Sequence, residues 1–544
     1  MKRSHRASLP IVASLLLFAA PSLAQTAPAA PAAPAAPAAA APPAAPVAPA
    51  TPAPVYAPAP PATMDPVAPA AAPQGSSIEL TTLRLLLNKG VISQAEYDSA
   101  THDMADTVGT KAGETNTVVM GKWATTMYGF IEADSIYDST QSLNESAGNA
   151  TIAKPGTYGQ DNGRIQFAAR NSRIGFRLKA PEVGGVRTSA VAEMDFLGNQ
   201  NPVGTGASGS GTDTESQYFT NPAFRARHLY LKVETDVVDF LFGQYWQLFG
   251  WQSAYHPASV EIQGLPGQVY SRAPQIRISK TIKTDDFLFE AAVAAMRPVQ
   301  RDSAMPGGQA GIRLGAPGWS GVITNGATGT SVQPLSIAIT GDARQVRLPN
   351  YYQSASDVGG GSSRMGTGFA VDAIIPVIPA KHRQGNALTL NGEFATSYGG
   401  SDLYTGLSGG ASVPTYSAPT KAAPTATANA DIDPGFAAYD NTGGVHLIQW
   451  TSYLVGVQYT IPGLDGKLWL ALNYSHIQSA NIGRYYPGAG KVLASEDFYD
   501  ANVFADVGAA VRLGLEYAMF DDLYTNSDVH ARNNRLQFSA FYLF

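Results

Sequence analysis

The last ten residues, Arg535 to Phe544, alternate strictly, and that alternation limits what the chain can become. Leu536, Phe538, Ala540, Tyr542 and Phe544 share one parity, while Arg535, Gln537 and Ser539 occupy the other, so one face suits lipid and the other water. Phe541 is the exception on the wet face. In a bilayer every backbone amide needs a partner within the protein, so a strand with a lipid face is viable only in a closed sheet. A soluble edge strand would show the same local pattern, but the chain repeats this grammar from Trp123 onward.

The composition fits such a sheet. Charged residues are only 14% of the chain and aromatics 10%, with 54 glycines available for turns. The absence of cysteine excludes disulfides and thiol catalysis. A net charge of -6 without a basic stripe argues against nucleic acid as a partner. The glycine runs at Gly359-Gly-Gly361 and Gly463-Leu-Asp-Gly-Lys467 lack the spacing of a phosphate cradle and read as turns. No paired-histidine metal motif or nucleophile elbow is present, so neither an enzyme nor a cofactor is expected.

Residues 1–24 carry a basic start, a short apolar run from Ile11 to Ala20 and a Ser22-Leu23-Ala24 cleavage pattern, the marks of a secretory signal peptide. Residues 25–75 are almost entirely Ala and Pro and read as an extended spacer. At ~3.1 Å per residue such a spacer reaches on the order of 150 Å, enough for contact with the cell wall across a periplasm. Residues 76–105 form the one helical segment: Leu80, Leu83 and Leu87 have heptad-like spacing, Lys89-Gly90 is a stop, and Ser93-Gln-Ala-Glu96 is a capping box. A helical pair this small buries no core alone, which predicts a short periplasmic coiled coil or docking onto a neighbour.

Residues 120–544 read as a transmembrane antiparallel β-barrel of about 16 strands, an all-β fold. Strands are expected at Thr125–Tyr137, Ser172–Lys179, Arg187–Phe196, Phe224–Val233, Phe240–Trp246, Ser271–Lys280, Phe287–Ala294 and Ala310–Leu314. Eight more follow at Leu335–Arg347, Gly368–Ile375, Ala387–Ser397, Leu447–Thr460, Lys467–Gln478, Phe498–Ala505, Ala510–Met519 and Arg535–Phe544. Long outer loops are expected at 138–171, 198–221, 247–270, 399–446 and 479–497, and the third is expected to fold inward, because side chains alone do not fill so wide a lumen.

Parity then sorts the charges, since a charge on the lipid face at mid-bilayer costs ~2–4 kcal/mol. It turns Arg173, Arg177, Lys179, Arg187, Arg277, Arg344 and Arg512 inward, and with them Glu132, Asp134, Glu193 and Asp195. Arg272 and Glu261, on or beside the inward loop, join that set. Arg225 and Arg227 break the rule, because Leu229 and Leu231 facing lipid put them on the same face; the expectation is that they lie above the bilayer. Cations opposite carboxylates make a transverse field that orients small charged solutes, and the Arg173, Arg177, Lys179 ladder favours anions. The plainer alternative is that these charges pair and brace the wall.

The terminal Phe with apolar residues at every second position resembles the assembly signal of bacterial outer-membrane barrels. The segments Leu83–Glu96, Asn171–Phe176, Arg227–Tyr230, Phe242–Trp246, Ala510–Tyr517 and Asn533–Phe538, in this order, resemble the DcaP-like trimeric outer-membrane porins. That resemblance implies a homotrimer of sixteen-stranded barrels in the outer membrane of a Gram-negative bacterium, a periplasmic helical extension, and diffusion of small organic anions such as dicarboxylates. The Ala/Pro spacer and the Gly/Ala-rich stretch from Gly399 to Ala430 depart from it. A surface-interaction barrel that binds a partner through the 399–446 loop, and a barrel hydrolase, are the other classes considered. Deleting residues 25–75 is expected to leave single-channel conductance unchanged, because a tether contributes nothing to the pore; lost conductance from folded, inserted protein would contradict that role.

Overall fold

The computed structural model describes residues 85–87, 89, 117–120, 123–147, 152–198, 222–298, 303–327, 329–349, 361–380, 385–407, 436–439, 445–485, 492–525 and 529–544. The expected signal peptide, spacer and most of the helical segment lie outside them; within that segment Leu85–Leu87 is helical, and the Lys89 amide donates to Leu85 O.

Sixteen antiparallel strands close into one barrel. They are β1 (Trp123–Asp138), β2 (Arg164–Ala168 with Arg173–Lys179), β3 (Arg187–Asp195), β4 (Arg225–Glu234), β5 (Asp239–Trp246), β6 (Arg272–Lys283), β7 (Leu288–Met296) and β8 (Gly307–Thr324). The second half comprises β9 (Thr330–Pro349), β10 (Gly361–Ile378), β11 (Ala387–Tyr398), β12 (Gln449–Thr460), β13 (Leu468–Ser479), β14 (Leu493–Asp506), β15 (Val511–Tyr524) and β16 (His530–Leu543). A short strand, Thr117–Met120, folds back on the start of β1. Closure is made by β16 on β1, from Phe130 opposite Leu543 to Asp138 opposite Arg535. Terminal Phe544 exchanges backbone hydrogen bonds with Gly129 at 2.9 and 3.1 Å.

The alternation is written on the surface. Ile131, Leu231, Ile276, Val293, Ile312, Ile339, Val455, Leu472, Val503 and Leu536 are all exposed and point outward, while Glu132, Asp195, Asp372, Glu516, Arg535 and Gln537 are buried. Tyr453, Tyr474 and Tyr499 adjoin on β12–β14, with ring centroids 6.0 and 4.8 Å apart, as in an interfacial aromatic girdle. Among the described residues no helix is long and apolar enough to cross a membrane, so the strands make the crossing.

Three features differ from the sequence reading. Residues 138–171 are not all loop: Arg164–Ala168 pairs with the upper part of β1, and Arg173–Lys179 with its lower part. Between them Ala169 to Ser172 oppose only Ile131 to Ala133, a bulge that breaks the period-two pattern and hid the continuity. The eighth strand is far longer than Ala310–Leu314, because its glycines and Pro317 mask the alternation over Gly307–Thr324. Finally, Arg225 and Arg227 do not share the lipid-facing side of Leu229 and Leu231. The register shifts between Glu193 and Met194, where His228 and then Ala226 are the partners, so Arg227 is the bulged residue and parity inverts around it. Leu229 and Leu231 stay outside while both arginines turn in.

Phe541, anomalous on the wet face, packs edge-on against Phe130 at 6.2 Å inside the barrel. Closure is reinforced by Arg535, whose guanidinium clasps Asp138 with two 2.9 Å bonds, both side chains being fully buried. Replacing Arg535 with Met is expected to destabilise the barrel by about 3–5 kcal/mol, because the Asp138 carboxylate is left buried without its counter-charge. The check is the temperature at which the folded band is lost on semi-native electrophoresis, with Arg535→Met plus Asp138→Asn recovering part of the loss.

Candidate functional site in the barrel lumen

The loop between β5 and β6, residues 247–271, turns into the barrel, as its sequence position predicts. Its amides are taken up by side chains of the far wall. Gln309 Oε1 accepts from Leu248 and Phe249 at 2.8 and 3.0 Å, and Thr340 Oγ1 accepts from Gly250 at 3.0 Å. Asn502 accepts from Val260 at 2.9 Å, Glu516 from Glu261 at 2.8 Å, and Glu393 from Val269 at 2.7 Å. In return Asn473 and Ser475 donate to Ala258 O and Pro266 O at 2.8 and 2.7 Å. A buried loop with unpaired amides is untenable, so these polar side chains on β8, β9, β11, β13, β14 and β15 fix where it runs. Gly250, at φ 74°, turns where any Cβ would lie 2.7 Å from Val269.

Apolar packing presses the loop to the same side. Leu248, Trp251 and Tyr255 pack with Ala292, Ala294, Ala338 and Ile374. Ala258, Val260 and Ile262 pack with Trp469, Phe504 and Phe541. Residues 401–407 lie over the loop, where Tyr270 N and Gly267 N donate to Leu403 O and Thr405 O, both at 2.9 Å. The lumen is therefore filled from the β7–β16 wall.

Against β2–β6 the contacts are fewer and charged. Arg225 binds Asp195 with two bonds of 2.9 and 2.6 Å, and donates to Gln263 of the loop at 2.8 Å. Arg227 reaches Glu193 at 2.9 Å, Asp195 at 3.0 Å and the Tyr270 hydroxyl at 3.2 Å. Arg173 lies 3.7 Å from Glu193. Arg272 stacks over Trp246 at 4.8 Å and Tyr270 at 5.5 Å and has no carboxylate partner among the described residues. Three guanidiniums thus share two carboxylates and Arg272 adds a fourth charge, leaving a surplus of two positive charges. Two of them, Arg225 and Arg272, line a polar cavity of about 250 Å³ with Ser146, Gln244, Gln263 and Tyr270.

The other residues selected by parity fall into distinct settings. Arg177 lies over the Tyr128 ring at 4.1 Å, and Arg277 over Tyr245 at 5.4 Å with a 2.6 Å bond to Trp246 O, continuing the basic side towards the short-turn end. Lys179 and Arg187 are exposed at that end. Arg344 sits across the lumen, bound to Asp342 at 2.8 Å and to Asp402. Arg512 binds Asp506 at 2.8 Å. Glu132 and Asp134 are buried on β1, Asp134 accepting from Ser539 at 2.6 Å and Asn171 at 3.2 Å. Glu261 lies 3.9 Å from Arg535. His256 is neutral near pH 7, burial and then Arg173 and Arg227 holding it down at about 4. Sequence reasoning missed Gln244, Gln263 and Tyr270 and misplaced Arg225 and Arg227; the parity conflict at Arg227-His228 was the available signal of the bulge. No cluster of His, Cys, Asp and Glu able to hold a metal occurs among the described residues.

No family model matches the chain, and no curated protein matches it. Solved structures do. The crystal structure of the outer membrane channel DcaP of Acinetobacter baumannii aligns with a TM-score of 0.54 at 17% identity, over 78% of this chain and 99% of that one. OmpT, an outer membrane protein of Vibrio cholerae, aligns at 0.42 and 11% identity over 79% and 100%. OprB of Pseudomonas putida aligns at 0.42 and 10% over 77% and 94%. The first of these has the same barrel fold as this chain.

Burial, then the neighbouring Arg535 pulling the other way and Glu516 adding to it, pushes the Glu261 carboxyl up to about 8. It is protonated at pH 7 and ionises above pH 8, adding negative charge to the loop. Anion preference is therefore expected to fall between pH 7 and pH 9 in the wild type, and to stay level in Glu261→Gln; reversal potentials at the two pH values make the comparison.

Proposed function

We propose that this protein is an outer-membrane porin that admits small hydrophilic solutes and favours small organic anions, dicarboxylates among them. The observation that carries the reading is the surplus of positive charge on Arg173, Arg225, Arg227 and Arg272 beside a polar cavity of about 250 Å³. Guanidiniums bind carboxylates through two parallel hydrogen bonds, so a row of them passes an anion from one to the next without holding it at a single site. Gln263, Tyr270 and Ser146 supply neutral polar contacts around the solute. The bound carboxylates Glu193 and Asp195 keep the arginines rigid and do not cancel them.

A filled lumen would favour a surface-interaction barrel or a barrel hydrolase over a porin, and the loop does fill much of it; the cavity beside Arg225 and Arg272 is what supports a route. Like the proteins its motifs resemble, the chain is proposed to assemble as a homotrimer in outer-membrane lipid, with its amino-terminal segment in the periplasm.

The experiment is planar-bilayer conductance under a salt gradient. Steps in threes and a reversal potential of anionic sign are expected. Arg173→Glu with Arg272→Glu turns a surplus of two positive charges into a deficit of two and is expected to reverse that sign. Unchanged selectivity in the folded double variant would refute this placement, and silence from the inserted wild type would refute the porin.

A further inference from the structure

The hairpin joining β8 to β9 does not end at the barrel rim. Its two strands pair regularly until Ala316 opposite Leu335, and then resume at Ser320 opposite Pro334, leaving Pro317, Gly318 and Trp319 as an unmatched insertion. Three extra residues beside prolines on both strands bend the hairpin sharply. Beyond the bend Val322, Ile323, Thr324 and Ala327 are buried, which a hairpin projecting into water would not be.

Its path can be followed from strand to strand. Trp319 donates to Pro376 O on β10 at 2.6 Å, and Thr389 of β11 donates to Val322 O at 3.2 Å. Gln458 of β12 accepts from Thr324 N at 3.1 Å. At the tip, Arg512 of β15 donates to Asn325 O and Gly326 O at 2.8 and 3.1 Å while Asp506 holds its other edge. The hairpin therefore crosses the inner wall from β9 to β15 at the end of the barrel that carries the short turns. There it meets the lumenal loop: Ala327 packs in one cluster with Ala258, Val260, Ile262, Trp469 and Phe504. A Cβ on Gly326 would lie 2.6 Å from Ser259 O.

We infer that this hairpin is a plug that closes the β10–β16 half of the lumen from beneath, so that the only passage left beside it is the arginine wall. The plug deepens the porin reading and rests on it. Two carboxylates of that half, Asp500 on β14 and Glu516 on β15, are buried, and Glu516 accepts from the loop at Glu261 N. Arg512 is a clamp on the plug and not a residue of the solute path.

The test compares wild type with two variants: one in which residues 322–332 are replaced by Asn-Gly, joining the register pair Gly321 and Gln333 by a two-residue turn, and Arg512→Ala, which frees the tip without shortening the chain. Each is first shown to be folded by its heat-modifiable migration. The shortened variant is expected to raise single-channel conductance about twofold and to lower anion preference, because the acidic half becomes part of the path. Arg512→Ala is expected to show intermittent steps of the larger size. A conducting wild type with step size and reversal potential unchanged in both variants overturns the plug alone. A silent wild type with a conducting shortened variant supports the plug and overturns the open porin. Silence in both overturns both.

Discussion

Everything in this barrel depends on where the backbone amides of an inward-folded loop find acceptors. A segment of some twenty-five residues cannot cross a lumen unless its N–H and C=O groups are paired, and here Gln309, Thr340, Glu393, Asn502 and Glu516 accept from six of its amides. All five lie on one side. The loop is therefore held against that side, and the space it leaves is bounded by β2–β6. The position proposed for the passage follows from hydrogen-bond accounting before it is a matter of charge.

Charge then acts on the space that remains. Glu393 and Glu516 accept from the loop's amides, so these lumenal carboxylates serve as structure on one wall. On the opposite wall the carboxylates are outnumbered: Asp195 and Glu193 orient Arg225, Arg227 and Arg173, and Arg272 rests on aromatic faces. Bracing and field, alternatives on the sequence alone, meet in Arg225, which is fixed by Asp195 and still keeps about a third of its side chain exposed at the cavity.

The architecture was legible in the sequence because membrane barrels enforce period two without relief. Arg535, Gln537 and Ser539 had to face inward once Leu536 and Phe538 faced lipid, and each is buried. Legibility failed wherever the period is interrupted. The bulges at Ala169–Ser172, at Arg227 and at Pro317–Trp319 each shift the strand by a count that local pattern cannot supply. Two of these three carry the site, since one turns Arg225 and Arg227 inward and another folds the β8–β9 hairpin under the loop. The loop's polar contacts, Gln263 and Tyr270, were illegible for a different reason: their partners are on strands remote in sequence, and nothing local marks them.

The central claim, that solute passes along the arginine wall and not along the wall that holds the loop, is open to a direct test because the chain has no native cysteine. Single cysteines at Gln244 and Ser271, beside the cavity, and at Ser475 and Asn502, beneath the loop, are treated with a small charged thiol reagent while current is recorded. The account requires block at Gln244 and Ser271 and no response at Ser475 and Asn502. Block at the second pair with none at the first would place the passage on the opposite wall and contradict it.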